Sequence, residues 1–265
     1  MENFAELTAI AALSAACVAC VGTPGAPPSG DDLSRLYRAY EEPTAELPVE
    51  HVRPLLDAAV AALGPHHALA GLHFVRDGLA EANRGLATRL DLDDLELEGR
   101  VEATVLCPGP GAPPPSANDG RVLARLGVRA SHLQRSFGGT LDGCRFSLVT
   151  AFGEAQRLHL DAEFSADFGA HLRLGSPLPA ALLVHLRNVA GTSESSLGAF
   201  DLARDEYHFR LTADDALEVL LDSVTLAGSD FGSVVVVLAP SGFVGIRERR
   251  GLWACGDAST PCVLY

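Results

Sequence analysis

The sequence predicts an α+β protein in which N-terminal helices pack on a large antiparallel β-meander, a curved sheet or an open barrel. Apolar residues recur at three- and four-residue spacing up to about residue 90, then alternate with polar ones from about residue 92 onward. The alternating runs follow one another through turn-rich links and are polar on one side, the pattern of antiparallel neighbours. An apolar content of 48% supplies a core, and an aromatic content of 6% leaves its filling mainly to Leu, Val and Ala.

Residues 1–22 contain the run Leu7–Gly22, apolar or small throughout. It is shorter than the ~20 residues a membrane-spanning helix needs and has the length of a signal peptide's apolar region. Residues 23–30, TPGAPPSG, read as a flexible linker. Residues 31–90 read as a helical segment. Asp31 or Asp32 can cap a first helix, whose stripe is Leu33, Leu36, Tyr37 and Tyr40 and whose stop is Pro43. A second stripe runs Val49, Val52, Leu56, Ala59, Val60, Leu63, with Pro54 delaying the regular helix to about that residue. A third helix is expected from about Ala68 to Leu90. Gly71, Gly78 and Gly85 recur on it every seven residues, which suits close packing against a sheet.

Residues 91–265 read as the antiparallel β domain. Val101, Ala103, Val105 and Cys107 alternate with Arg100, Glu102 and Thr104, and a Pro/Gly loop follows at 108–120. Val122, Ala124, Leu126, Val128 and Ala130 form the next inward set. Gly138, Gly139 and Gly143 mark a bulge or a bend in the strand after it. The clearest strand has Leu158, Leu160, Ala162, Phe164, Ala166 and Phe168 on one face, and His159, Asp161, Glu163 and Asp167 on the other. Further strands are expected near 181–190, 199–211, 233–239 and 243–249, with a helix from Thr212 to about Val224.

The formal charge of −14 opposes binding to nucleic acid, which needs a basic face. The densest basic run is Arg247, Arg249 and Arg250, interrupted by Glu248. The chain has no lysine, and this excludes P-loop, protein-kinase, pyridoxal-phosphate and serine–lysine chemistry. No nucleophile elbow or dinucleotide fingerprint is present, and no cofactor is expected. His66, His67 and His73 lack zinc-helix spacing. The acidic run Asp91, Asp93, Asp94, Glu96, Glu98 does not fit a calcium loop. Both groups read as solvated surface, and no metal site is assigned.

An apolar segment that ends in small residues and a cysteine, followed by a flexible spacer, resembles the export signal of bacterial lipoproteins. The resemblance covers about residues 1–30. Cys17 follows Ser14-Ala15-Ala16, and Cys20 follows Cys17-Val18-Ala19, while Glu2 and Glu6 stand where that family carries basic residues. It implies lipidation at Cys20 or Cys17, and export to the outer envelope or periplasm with a membrane contact through the lipid. Export leaves Cys107, Cys144, Cys255 and Cys262 in the folded body. An even set in an oxidising compartment suggests two disulfides, and closeness in sequence favours Cys107–Cys144 and Cys255–Cys262. Parity then favours Cys20 over Cys17 for the lipid.

The function expected is that of a non-enzymatic, lipid-anchored envelope protein with a binding or structural β domain. Small inward residues Ala103, Ala124, Ala130, Ala162 and Ala166 would either shelter an apolar ligand or admit the third helix. A third reading is a subunit of a larger surface assembly, with a surface protein as its partner, which an exposed apolar patch would favour. The enzymatic alternative is a secreted hydrolase using Asp161, Glu163 and His159. Neighbours on that face lie about 7 Å apart, near the separation of an inverting carboxylate pair.

Overall fold

The fold is that of a computed structural model, described for residues 30–63, 69–89, 98–108, 119–149, 155–179, 181–195, 198–201, 204–226, 228–255 and 261–265. The two candidate lipidation cysteines, His66 and His67, the acidic run at 91–97 and most of the 108–120 loop lie outside these residues.

Among the described residues three helices precede the sheet: α1 (Gly30–Glu41), α2 (Val49–Leu63) and α3 (His73–Arg89). Pro54 lies within α2 rather than at its start, with its side chain exposed. Its ring lacks only one donor, and the surrounding stripe Val52, Leu55, Leu56, Ala59 is buried, so packing holds the turn. Residues 69–72 form a 3-10 turn ahead of α3, which therefore begins later than its periodicity suggests.

The α+β architecture expected from periodicity is present. A 14-stranded antiparallel sheet runs from β1 (Glu98–Leu106) to β16 (Val263–Leu264). Its main members are β2 (Arg121–Arg129), β3 (His132–Leu133), β4 (Ser136–Val149), β5 (Ala155–Asp167), β6 (Leu172–Arg173), β7 (Ala181–Ser195), β8 (Gly198–Asp201) and β9 (Arg204–Thr212). After β9 come β10 (Leu217–Leu221), β13 (Val234–Leu238), β14 (Val244–Glu248) and β15 (Gly251–Ala254), with the separate hairpin β11 (Thr225–Leu226) and β12 (Ser229–Asp230) inserted. β3 and β4 share one side of β2, and β8 and β9 share one side of β7, so the pairing is a meander in chain order. The sheet does not close: among the described residues its strand order runs from β16 to β6, which pairs with β3, and β1 lies off that path on β2.

The expected helix from Thr212 to Val224 is instead a turn followed by β10. Thr212 Oγ1 accepts from Ala216 N, and Asp215 takes φ 63°, closing a tight turn in place of a helical one. Leu217, Leu220 and Leu221 are buried, and β10 pairs with β9 and β13. Ala130 also departs from expectation. It is exposed in the β2–β3 turn at φ 48° rather than directed inward.

The sheet has two unlike faces. Alternate residues of β7 and β13 belong to different clusters: Leu182, Val184, Val234 and Val236 pack with α2 and α3, whereas Leu183 and Val235 pack with Leu33 and Tyr40 of α1. The inner face therefore carries α2 and α3, and α1 crosses the outer face. On the inner side Gly78 of α3 abuts β1, where an added Cβ would lie 2.4 Å from Val105 Cγ1. Ala103, Ala124, Ala162 and Ala166 lie buried in that same core, together with residues of α2 and α3. The linker between α1 and α2 passes from one face to the other. It is held by Thr44 N to Ser233 Oγ (3.0 Å), Ala45 N to Ser233 O (2.9 Å) and Leu47 N to the buried carboxylate of Glu248.

Both expected cysteine pairs stand at disulfide distance, with S–S separations of 1.98 Å for Cys107–Cys144 and 2.08 Å for Cys255–Cys262. The first ties the end of β1 to the bulge of β4. The second closes the loop between β15 and β16.

Candidate functional site

The strand face singled out by alternation lies on the outer side of β5. His159, Asp161 and Glu163 are about half exposed there, at 43%, 49% and 50% of their side-chain area. Asp161 accepts from Gly143 N at 2.5 Å, which holds the β4 bulge, and its other oxygen is 3.8 Å from His159 Nε2. Glu163 accepts from Arg187 across the strand pair at 3.2 Å. Asp167, on the same face, is fully buried and accepts from Arg135 Nε, Ser136 Oγ and Gly169 N. These carboxylates thus serve the register of the sheet.

Around Asp167 the outer face becomes a buried polar network roofed by α1. Glu218 on β10 accepts from Arg210 Nε (2.5 Å) on β9 and from Arg247 (3.0 Å) on β14. Arg210 also donates to Glu41, and Arg247 to the Tyr40 carbonyl at 3.1 Å. The guanidinium of Arg210 lies over the rings of both Tyr37 and Tyr40. Burial works against its charge, but Glu218 and Glu41 outweigh that and hold its proton more firmly than usual. Burial likewise pushes the Tyr40 phenol well above its ordinary range, so its hydroxyl stays protonated beside His208 Nδ1 at 3.2 Å. His185 and His208 sit opposite each other on β7 and β9. Burial lowers the pKa of both, only partly opposed by Glu206 near His185 and by Asp222 near His208. Both rings are therefore neutral at pH 7.

A concave site lies elsewhere, along α3. Arg76, Ala80 and Arg84 form one wall of a cavity of about 340 Å³, residues 175–179 form the other, and Ala213 lies at its end. Two polar side chains of α3 hold these walls. Asn83, 1% exposed, donates to Ser176 O at 2.9 Å and accepts from Gly175 N at 3.2 Å. Gly175 needs its φ of 80°, and an added Cβ would lie 2.8 Å from Ala87 Cβ. Arg76 donates to the Thr212 carbonyl and to Asp215 at 2.7 Å, fixing the turn before β10. The contact area is mainly apolar, from Pro177, Leu178, Pro179 and two alanines, with Arg84 exposed beside it.

Neither this cavity nor the Arg210–Glu218–Arg247 network was read from the sequence. The network is hidden because Thr212–Asp215 carry a helix-start signal, so Glu218 falls within an expected helix rather than a strand. The cavity joins α3 to loops about 90 and 130 residues further along, and no local pattern reports such a meeting. In the basic run, Arg247 pairs with Glu218, Arg249 with Glu46 at 3.1 Å, and Arg250 with Glu248 at 2.7 Å. His73 has its Nδ1 3.0 Å from the Ala70 carbonyl. Among the described residues no group of three His, Cys, Asp or Glu side chains is placed to hold a metal ion, and no helix is long and apolar enough to cross a membrane. The chain matches no family model, no curated protein and no solved structure.

Proposed function

We propose that the chain is an exported envelope protein, anchored by a lipid at Cys20 or Cys17, whose disulfide-stapled β body serves in binding rather than catalysis. The observation that carries this reading is the pair of cysteine bridges in the body, Cys107–Cys144 and Cys255–Cys262. Such bridges persist in oxidising compartments and are rare in reducing ones. The apolar Leu7–Gly22 run and the Pro/Gly linker supply the matching export logic. The first described element after that linker is α1, which packs on the outer face of the sheet.

Intact mass of the mature protein from its native host, with and without reductant, tests this. The expected result is loss of the leader, added acyl mass on the new N-terminal cysteine, and a gain of two hydrogens per bridge on reduction. An unprocessed chain whose mass does not change on reduction overturns the proposal.

A further inference from the structure

We propose that the cavity along α3 binds a small organic carboxylate with a compact apolar body, its anionic end held by Arg84. This rests on the reading of the β body as a binding domain. The volume, about 340 Å³, lies within the range of small-ligand sites. Pro177, Leu178, Pro179 and Ala80 offer an apolar bed, so the ligand's body is apolar.

The charge follows from the arginines. Arg76 is spent on the Thr212 carbonyl, Asp77 and Asp215, which take hydrogen bonds from its Nε, Nη1 and Nη2. What it can still offer a ligand is its flat face, which stacks well on planar groups. Arg84, two turns along the same helix, has no carboxylate partner among the described residues. Its exposed fork has the geometry to take a carboxylate in a bidentate contact. In a chain of net charge −14, an exposed guanidinium beside an apolar hollow selects anions that can enter it.

The walls are ordered before any ligand arrives. Asn83 fastens residues 175–176 and Arg76 fastens the 212–215 turn, so little ordering cost remains for binding. Asn83 does not line the cavity, so the fastening of the wall can be tested apart from the ligand contact of Arg84.

The test is a titration of the full chain, disulfides intact, with benzoate and with its neutral counterpart benzyl alcohol, followed by saturation-transfer NMR. Benzoate is expected to saturate with an affinity on the order of 1 mM. Arg84→Gln should weaken benzoate about tenfold or more, leave benzyl alcohol unaffected and leave the melting temperature unchanged. Ala80→Phe should abolish both by filling the cavity. Equal benzoate affinity in wild type and Arg84→Gln, or no saturable binding up to roughly 10 mM, overturns the site. That failure leaves the mass test of export standing, and failure of export leaves this titration standing.

Discussion

The two faces of the sheet are stabilised by different physics. The inner face is covered by α2 and α3 through Leu, Val, Ala and Phe, with close approach at Gly78. Among the described residues the outer face is covered by α1, and that face holds Arg210, Glu218, Arg247, Asp167 and two neutral histidines. Inner packing depends on shape and is insensitive to protons and salt. Outer packing depends on every charge having its partner, because an ion stripped of water and left alone is costly. A helix held in the second way docks in one specific place, and it can be loosened by a single change.

The largest expected effect is on the outer face. Glu218→Leu removes the carboxylate shared by Arg210 and Arg247, and loss of one partner from a buried ion pair costs about 3–5 kcal/mol. We expect about 3 kcal/mol, because Arg210 retains Glu41 and Arg247 retains the Tyr40 carbonyl. Urea unfolding with disulfides intact measures it. Replacing Arg210 by Met as well should recover much of the loss. A cost under about 1 kcal/mol would place the network with ordinary surface bridges and erase the contrast between the faces.

The inner face should respond to shape instead. Gly78→Leu forces atoms into Val105 and should cost about 1–3 kcal/mol. Gly85→Ala, one heptad later on the same helix, meets nothing within 4 Å and should stabilise by about 0.5–1 kcal/mol. Thermal unfolding of the two variants separates them, and equal effects would mean that α3 is not seated on β1 at Gly78.

A smaller effect should be a pH dependence confined to the outer face. The histidines have folded pKa values below the ordinary 6.5, so the unfolded chain binds more protons than the folded one just below that pH. Their contribution to stability is complete above about 6.5 and declines as pH falls toward their folded values. The groups facing His185 are Glu206 and Arg187, and those facing His208 are Tyr40, Asp222, Glu206 and His185. Stability measured from about pH 7.5 to 5.5 should fall with pH in wild type, and more gently in the His185→Gln, His208→Gln double variant. Identical slopes would show that these two rings do not titrate between the two states.

Periodicity alone was enough for the class of fold, most strand positions and the tyrosine stripe of α1, because burial on one side of a helix or strand imprints a local repeat. The inward set Val122, Ala124, Leu126, Val128 and the β5 alternation are of this kind. The cysteine pairing was also legible, since neighbouring strands bring nearby cysteines together. Tertiary structure alone decided which side of the sheet each helix covers, why Glu218 belongs to a strand, and that Arg76, Asn83 and Arg84 meet residues 175–179 beside a hollow. Those outcomes depend on groups far apart in the chain whose energies exist only once both are desolvated, and a one-dimensional repeat carries no record of such meetings.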